Sequence, residues 1–559
     1  MSDVGKYDII IVGAGSAGCV LASKLSEDGK LRILLLEAGP NDNTMLVSMP
    51  KGSGKILSSP TYCHYFPTAR HERFAGAPPE SWVRGKVLGG SSAVNGMVYH
   101  RAHPEDFDRF VELGLAGWSW AEMLPYFKAI EDHELSANEF RGKGGPIHLC
   151  QYKRRTRLSR AMIEAATSIG LPYKEDPNQP RAEGIAYAVS NISKNGRRVS
   201  AAAAFLTPEV RRRSNLKIET GFTAQRILFQ GRRARGVVGI KDGGTLTYEA
   251  TLEVVVCAGA IQSPQLLQLS GIGPAELLQS IGVPVVQHSP WVGGNLREHY
   301  LAFLQFRLKH WEDTENHEYA GWRLAKNMLQ YFLAGTGRMS ESPWHMSAFV
   351  RSLPESTRPD TQLTFAPFSL DLDTLGAHAQ MEKAPGMQFF GYPSRSTSQG
   401  TIRARSSDMR EVPYIDPNYL DTEYDRRLST ALVNYIRHFM ALPSLHPYVI
   451  GETEATARAR SDDEILDLMR QRGQTGYHAN GTVHLGVDGS APLDEELRVR
   501  GVTGLRVMDA SIYPEQLSAN TNASIMAMAW RAADLILQTH GRPRTLAPYS
   551  GPTGDMVAV

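Results

Sequence analysis

The chain has 559 residues, more than one ordinary hydrophobic core holds, so two or more domains are predicted. A formal net charge of +2 and 42% hydrophobic residues are typical of a soluble globular protein and argue against a nucleic-acid partner. The four cysteines form no CxxC pair and no metal-ligand spacing, which predicts a reducing compartment, no disulfide framework and no metal site.

The first predicted strand begins close to the first residue of the sequence. Lys6-Tyr7-Asp8 leads directly into the apolar run Ile9-Ile10-Ile11-Val12, so no signal peptide is predicted. No apolar run is long enough to span a bilayer. The default expectation is therefore a cytoplasmic protein, with peripheral membrane docking through a loop or an apolar patch left open.

A glycine-rich turn, Gly13-Ala14-Gly15-Ser16-Ala17-Gly18, joins this strand to a predicted helix at 19–25. A second predicted strand at 32–36 ends in Glu37, about twenty residues after the last glycine, as a dinucleotide-binding unit requires. The alternative is a glycine-rich turn that binds nothing. The presence of strand, helix, second strand and terminal acid favours a turn that binds a dinucleotide.

Each residue type of this turn has a physical task. Gly13 permits the tight turn, Gly15 lets the backbone approach a pyrophosphate, and Gly18 allows close helix–strand packing. The helix N-terminus offers unpaired N–H groups to the phosphates, and Glu37 accepts hydrogen bonds from ribose hydroxyls. The acid argues against NADP, but the pattern does not by itself separate FAD from NAD.

A second cluster of small residues follows, Arg84-Gly85-Lys86-Val87-Leu88-Gly89-Gly90-Ser91-Ser92-Ala93-Val94-Asn95-Gly96-Met97-Val98-Tyr99. Small residues let a backbone pass close to a flat ligand. The alternative is a flexible surface loop. The apolar residues between the small ones favour a buried, shaped turn.

At this point the sequence resembles the glucose–methanol–choline (GMC) oxidoreductases. The stretch 85–108 fits the first signature of that family, and 259–273 fits the second. The segment Val292-Gly293-Gly294-Asn295-Leu296-Arg297-Glu298-His299 is similar to the family's VGxNLxDH turn, with Glu298 in place of the usual Asp. The landmarks extend from Gly13 to about Ile536, so the resemblance covers nearly the whole chain.

The resemblance implies an α/β plus α+β fold, with a Rossmann-like FAD-binding domain and an antiparallel-sheet substrate domain. It places the pyrophosphate on the 13–18 turn and the isoalloxazine near 89–97. Covalent members carry a histidine where this chain has Val94, so we expect non-covalent FAD. The predicted cofactor-binding residues are Gly13, Gly15, Ser16, Ala17, Gly18, Glu37, Ala38, Arg84, Leu88, Gly89, Gly90, Ser91, Asn95, Gly96, Met97, Val98, Ala224, Ala258, Gly259, Asp509, Ala510, Asn520, Thr521 and Asn522.

Two C-terminal segments carry the candidate chemistry. A glycine-rich loop at 476–486 contains His478 and His484, and a second stretch contains the turns 509–514 and 518–524. By motif position, His478 matches the family's catalytic histidine and Asn520 matches its second catalytic residue, which is His or Asn. His484 is assigned a structural role, with local electrostatics or a phosphate contact as alternatives.

The chemistry supports this assignment. Oxidation of an alcohol removes a hydroxyl proton and a hydride, and flavin N5 accepts the hydride. An alkanol is too weak an acid to ionise at neutral pH, so a base must act as the hydride leaves. Histidine has a suitable pKa, and the Asn520 amide can orient the substrate oxygen. Ala479 replaces the common proline after His478, which predicts a less rigid loop.

The FAD domain is predicted to be discontinuous, at 1–155, 190–300 and 476–540, with a substrate domain at 156–189 and 301–475 and a C-terminal arm at 541–559.

The expected substrate is an apolar or aromatic alcohol, and the expected electron acceptor is O2 or a quinone or other electron carrier. The choice of acceptor, the alcohol and the oligomeric state stay open. Candidate pocket residues are Trp322, Tyr331, Phe332, Trp344, His345, Met346, Phe349, Phe365, Phe368, Phe389 and Phe390.

Three other functions were weighed. A lyase or decarboxylase on the same fold would not need both His478 and Asn520. A flavin disulfide reductase would need a redox cysteine pair, which is absent. A protein that keeps FAD without catalysis would show no flavin reduction by any alcohol.

Overall fold

A computed structural model describes residues 2–69, 71–371 and 380–546. The strands are β1 Ser2–Val12, β2 Ile33–Glu37, β3 Cys63–Pro67, β4 Ser81–Gly85, β5 Glu131–His133, β6 Ile147–Gln151, β7 Gly184–Tyr187, β8 Val189–Ser190, β9 Leu216–Thr220, β10 Thr223–Gln230, β11 Arg233–Lys241, β12 Gly244–Val256, β13 Ile272–Gly273, β14 Gln287–His288, β15 Tyr300–Leu308, β16 Met346–Val350, β17 Thr361–Ala366, β18 Gly386–Pro393, β19 Thr401–Arg403, β20 Tyr414–Asp416, β21 Val449–Glu452, β22 Gln474–Thr475 and β23 Leu505–Val507.

The helices alternate with these strands along the chain. They are α1 Ser16–Leu25, α2 Met45–Ser48, α3 Ser53–Ile56, α4 Pro104–Glu112, α5 Trp120–Ile130, α6 Arg157–Ser168, α7 Ala201–Phe205, α8 Pro208–Arg211, α9 Gly259–Leu269, α10 Ala275–Ser280, α11 Gly321–Ala334, α12 Glu423–Met440, α13 Glu454–Ala457, α14 Asp462–Arg472 and α15 Thr521–Thr539. Among the described residues, none of these helices is both long and apolar enough to cross a bilayer.

The first large sheet has the strand order β10-β11-β12-β1-β2-β9, and β23 pairs with β12. Strand β1 lies parallel to both β12 and β2. Ile9, Ile10 and Ile11 are fully buried, as expected for a central parallel strand covered on both faces. The carboxyl ends of β1 and β2 therefore meet at one edge, where ligands of such sheets bind.

The second large sheet has the order β21-β15-β18-β17-β16-β7, and β22 extends it beside β15. Its long ladders are antiparallel. The amphipathic helix α12 covers one face with Leu432 and Ile436, which pack in the same core as Leu304 and Phe389. The opposite face is free to line a cavity.

This arrangement confirms the predicted α/β plus α+β fold. Every strand of the first sheet lies within 1–155, 190–300 or 476–540, and those of the second lie within 156–189 or 301–475, apart from Tyr300. The domain division itself stays a prediction. Of the predicted arm, 547–559 lies outside the described residues, while Thr545 bonds to Asp534 of α15.

The helix α15 begins earlier than the sequence predicts. We expected a helix from about 525, whereas Thr521 and Asn522 already form its first turn, with Asn520 as the N-cap residue. Polar residues in this stretch are typical of a loop, but they also suit the start of a helix because the first N–H groups have no partner within it. The N-terminus of α15 points these groups toward the functional site.

Candidate active site

A cavity of about 530 Å³ extends from the carboxyl ends of β1 and β2 to the free face of the second sheet. Its volume falls in the range of cofactor and small-molecule sites. The predicted residues that line it are Gly13, Gly15, Ser16, Ala17, Glu37, Ala38, Arg84, Gly90, Ser91, Asn95, Gly96, Met97, Val98, Ala224, Ala258, Gly259, His478, Asp509, Ala510, Asn520, Thr521 and Asn522.

Three predicted cofactor-binding residues do not line this cavity. Leu88 is 1% exposed and belongs to the core, because its side chain turns away from the ligand side of the segment. Gly89 donates its N–H to the Ala14 carbonyl. A Cβ at Gly18 would stand 1.9 Å from the Gly13 carbonyl oxygen. The role of Gly89 and Gly18 is to bring backbone segments together.

The glycine turn is shaped by backbone contacts. Gly13 has φ +106°, and a Cβ there would stand 2.4 Å from the Cys257 carbonyl oxygen. A Cβ on Gly90 would stand 2.7 Å from the Gly15 Cα, so the second small-residue segment lies directly on the turn. Nothing lies within 4 Å of the position a Gly15 Cβ would occupy. The turn thus leaves an open cradle at Gly15.

Three helices of ten residues or more direct their N-termini at this cavity. Ser16 of α1, Gly259 of α9 and Thr521 of α15 each begin a helix and line the cavity wall. The Ser16 hydroxyl donates to Asn522 Oδ1 over 2.7 Å, which ties the first and last of these helices together. Helix N-termini favour anions because their first N–H groups are unpaired and the helix dipole is positive there.

Glu37 has a structural task in addition to the predicted one. Its two carboxylate oxygens accept hydrogen bonds from the backbone N–H groups of Ala14, at 3.0 Å, and Gly39, at 2.8 Å. Burial raises the pKa of Glu37 to about 7, although these N–H groups act in the opposite direction. The carboxyl group therefore fixes the turn and faces the cavity at the same time.

His478 and Asn520 meet at the cavity wall, where Asn520 precedes the first turn of α15. His478 Nε2 lies 3.0 Å from Asn520 Nδ2, although the two residues are 42 positions apart. Gln362 Nε2 donates to Asn520 Oδ1 over 3.0 Å and so holds the amide. His478 follows Tyr477, whose backbone has φ +62°. This left-handed turn presents the imidazole to the cavity.

The other ring nitrogen of His478 contacts His299. The two Nδ1 atoms lie 2.9 Å apart. His299 is fully buried, and its Nε2 lies 2.9 Å from both the Ser394 carbonyl oxygen and Gln516 Nε2. Burial lowers the pKa of His299 to about 4. The imidazole of His478 is therefore supported by a second, neutral imidazole.

A buried carboxyl group fixes the loop of His478. Glu298 Oε1 accepts from the His478 backbone N–H over 2.7 Å, and Oε2 accepts from the Thr475 hydroxyl over 2.9 Å. Arg84 Nη2 lies 3.6 Å from Oε2. Burial raises the pKa of Glu298 to about 7, against the opposing charge of Arg84. Glu298 thus caps the backbone of the loop that carries His478.

The environment keeps His478 neutral. Burial lowers the pKa of His478 well below its usual value, and the charge of Arg84 lowers it further. A neutral imidazole has one nitrogen with a free lone pair, which a general base requires.

The wall facing this pair comes from the second sheet. Alternate residues of a strand share one face, which brings Gln362 and Thr364 of β17 beside Phe390 and Tyr392 of β18. Trp344 packs edge-on against Phe390 with ring centroids 4.8 Å apart. Leu301, Trp344, Thr364, Phe390 and Tyr392 all line the cavity. Most of this wall is apolar or aromatic.

Only two of the eleven candidate pocket residues lie in this wall, Trp344 and Phe390. Trp322 and Phe332 are 69% and 59% exposed on the surface helix α11. Seven others pack away from the cavity, because they lie on buried faces of the second sheet and its neighbours, namely Tyr331, His345, Met346, Phe349, Phe365, Phe368 and Phe389.

The sequence reasoning missed His299, Gln362 and Tyr392. His299 ends the recognised 292–299 turn, so its position offered a signal. Gln362 and Tyr392 offered none, since only the strand register brings them to the site. His484 does not line the cavity, and its ring packs against Trp291 with centroids 5.9 Å apart, which contradicts a phosphate contact.

The parallel sheet, the glycine turn and the convergent helix N-termini define a dinucleotide-binding oxidoreductase with a second wall made of side chains. Comparisons with known proteins identify its family. Models described as GMC oxidoreductase match residues 7–301 and 396–529.

Relatives match almost the whole chain. The mitochondrial choline dehydrogenase of Mus musculus is 38% identical over 549 residues, covering 96% of this chain and 90% of that protein. The oxygen-dependent choline dehydrogenase of Pectobacterium carotovorum subsp. carotovorum is 36% identical over 549 residues, covering 97% of each. The crystal structure of pyridoxine 4-oxidase from Mesorbium loti superimposes with a TM-score of 0.85 at 30% identity, covering 96% of this chain and 99% of that one.

The chain belongs to the GMC oxidoreductase family. It is an FAD-dependent oxidoreductase that acts on CH–OH groups.

Proposed function

We propose that this protein oxidises an uncharged apolar or aromatic alcohol to the aldehyde or ketone, with His478 as the general base and Asn520 orienting the substrate oxygen. The observation that carries the proposal is the 3.0 Å approach of His478 Nε2 and Asn520 Nδ2 at the cavity wall. An alcohol oxygen bound against both groups from the cavity side would give its proton to the imidazole and accept a hydrogen bond from the amide.

The residues at the other end of the cavity fit FAD. Open space at Gly15 and the N-termini of α1, α9 and α15 would receive the pyrophosphate, while Glu37 would bind a ribose hydroxyl. When bound, FAD supplies the acceptor for the hydride. Val94 lines the cavity with a hydrocarbon side chain that cannot form a covalent bond to it. We therefore propose non-covalent FAD.

The hydrogen bonds of His299 and His478 determine which nitrogen of each imidazole carries the proton. A backbone carbonyl only accepts, so Ser394 O requires an N–H at His299 Nε2. The side-chain amide of Gln516 also contacts this nitrogen, but it does not determine which nitrogen of His299 carries the proton. The oxygen and nitrogen of a glutamine amide are assigned from their surroundings, so either atom can face the imidazole. His299 Nδ1 then accepts from His478 Nδ1–H, which leaves the lone pair of His478 Nε2 facing Asn520.

The proposed substrate is uncharged because the wall near His478 offers no counter-charge. Among the described residues that line the cavity, the carboxyl groups are those of Glu37 and Asp509. Glu37 lies at the dinucleotide turn, and Asp509 accepts from Gly259 N–H and the Ser263 hydroxyl. The relatives are named for choline, a quaternary ammonium, which would find aromatic rings but no carboxylate among the described residues that line the cavity near His478.

Anaerobic stopped-flow mixing of the holoprotein with a panel of alcohols tests this function. A primary aliphatic or benzylic alcohol should bleach the FAD absorbance, and choline should do so far more slowly. Subsequent exposure to air identifies the acceptor, since rapid return of the colour with peroxide indicates O2 and persistent reduced flavin indicates a quinone or other electron carrier.

Three results would contradict the proposal in different ways. Faster bleaching by choline would contradict the uncharged substrate only. Product formation without bleaching would indicate a lyase or decarboxylase. A coloured holoprotein that no alcohol reduces would indicate FAD binding without alcohol oxidation.

A further inference from the structure

The surface helix α11 exposes a set of large apolar side chains to solvent. Leu333 is 79% exposed, Trp322 69%, and Leu329 and Phe332 59% each. Scattered exposed apolar residues are ordinary, but four large ones on a helix of 14 residues form a patch. Such a patch on a folded protein marks an interaction surface.

The four side chains share one face of α11. They are separated by seven, three and one positions along the chain, which places them within about a third of the helix circumference. The opposite face is buried through Asn327 and Tyr331. Tyr331 packs with Met49 and Met339 in a small core of its own. Because that face anchors the helix, the exposed face is left for another occupant.

The charges of α11 indicate which kind of partner its exposed face would bind. The helix contains Arg323 and Lys326 and no Asp or Glu. Arg323 lies over the Trp322 ring at 5.3 Å from its centroid, beside the apolar face. The carboxylate that precedes the helix, Glu318, is engaged by Asn327 and by Arg338. The apolar face is therefore flanked by basic charge.

We propose that α11 docks the protein onto an anionic membrane surface, lying flat among the lipid headgroups. A tryptophan, a phenylalanine and leucines beside Arg and Lys are the features of an interfacial helix. With 14 residues, α11 is about 21 Å long, too short to span the bilayer. A second copy is a poorer occupant, because a two-fold contact through this face would bring the basic residues of both copies together.

The docking surface is connected to the cavity wall. The segment that follows α11 reaches Trp344, which lines the cavity and stands against Gly96. On the other side, the chain after Met49 continues to Ser53 and Gly54, which also line it. Docking would therefore bring a membrane close to elements of the cavity wall. This inference does not depend on the reaction that is catalysed.

Co-sedimentation of the FAD-loaded protein with phosphatidylcholine vesicles, with and without one-third phosphatidylglycerol, tests the proposal. We expect binding to the anionic vesicles, and its loss when Trp322, Leu329, Phe332 and Leu333 are all changed to Ser. The matched control is Ile450→Ser with Val487→Ser, which removes apolar residues that are 66% and 57% exposed elsewhere. This control should bind like the wild type.

Charge reversal distinguishes binding to anionic lipid from non-specific hydrophobic adsorption. Since each basic side chain contributes about fivefold to binding at an anionic surface, Arg323→Glu with Lys326→Glu should weaken it at least about 25-fold. Unchanged FAD absorbance and unfolding temperature would show that the variants fold. Two outcomes would overturn the proposal: no sedimentation of the wild type with anionic vesicles, or a wild-type dimer by light scattering that the four-serine variant converts to a monomer.

Discussion

The two ends of the cavity are built in different ways. The end proposed for the dinucleotide is made of backbone, with Gly90 against Gly15, Gly13 against Cys257 and three helix N-termini directed inward. The end proposed for the alcohol is made of side chains, with His478, Asn520 and His299 held by one another and by the second sheet. The first end is shaped by the main chain, and the second by groups that a single substitution can remove.

This difference predicts that the two ends tolerate change differently. A glycine that touches another backbone has no alternative residue, since any Cβ would collide. The side-chain wall should keep its form when Thr364 or Phe390 is varied, because the sheet beneath them sets their positions. Substrate preference is therefore expected to change in this wall, while cofactor binding is retained.

The largest effect should come from His478→Ala. Removal of the base should lower turnover by about 10²–10⁴ while FAD stays bound, because the imidazole takes no part in the backbone contacts that shape the glycine turn. Steady-state kinetics and the flavin absorbance of the purified protein measure both properties. His438→Ala, at an exposed histidine of α12, is the control. Colourless His478→Ala protein would show that the two ends are not separable.

Gly15→Ala should weaken FAD binding, whereas His478→Ala should leave FAD bound. The open space at Gly15 accepts a methyl group in the protein alone, but the methyl would displace the pyrophosphate. Overpacking of this size should weaken FAD binding by about 5- to 150-fold, with the unfolding temperature of the FAD-free protein unchanged. Gly489→Ala, at another glycine with open space, is the matched control. An unaltered dissociation constant for FAD would place the pyrophosphate elsewhere.

A smaller effect is expected for His299→Gln, because His299 acts through His478 as a positioning residue. Loss of one hydrogen bond should reduce turnover about two- to tenfold. His299 Nδ1 accepts from His478 Nδ1–H, a contact that favours the protonated form of His478, so its loss should lower the pKa of that imidazole. The base would then stay neutral to a lower pH, and the acid limb of kcat/KM should move downward. Reduced turnover with an unmoved pH profile would indicate a purely structural role.

The smallest effect concerns stability at acid pH. Burial lowers the pKa of His64, His100, His133, His299 and His345 to about 4, and of His103 to about 3. Below pH 6.5 the unfolded chain takes up protons that the folded chain refuses, so stability is lost as the pH falls from 6.5 to 4.

Glu37 and Glu298, with pKa values raised to about 7, and Glu80, with a pKa raised to about 6, act in the opposite sense, because the folded chain holds extra protons between these values and pH 4.5. The six histidines outnumber these three carboxyl groups. Thermal unfolding followed by circular dichroism should therefore show a lower midpoint at pH 5 than at pH 6.5. A higher midpoint at pH 5 would mean that the carboxyl groups dominate.

The dinucleotide half could be predicted from the sequence in considerable detail. The strand, turn, helix and second strand at 7–37 follow one another, and each glycine has a local steric reason that is visible in the residue order. The close packing predicted for Gly18 is confirmed, since a Cβ there would stand 1.9 Å from the Gly13 carbonyl oxygen. What the sequence did not predict is direction, because Leu88 turns into the core and Gly89 bonds to backbone instead of lining the cavity. Spacing alone does not show which side of a segment faces a ligand.

The alcohol half could be predicted only where a motif named a residue. His478 and Asn520 were identified by motif position, whereas Gln362 and Tyr392 were missed and most of the aromatic candidates were wrong. Those aromatics alternate along strands of the second sheet, and the register decides which of them face the cavity. Register depends on pairing between distant strands, which the sequence of one strand does not contain.

The amino-acid sequence by itself determined the family, the parallel-sheet unit and the position of the dinucleotide turn, because these depend on steric rules between residues that are close along the chain. The tertiary structure decided that His299, which is 179 positions from His478, supports its ring, and that one face of α11 stays exposed. These features depend on how separate elements pack, and packing is a property of the whole fold.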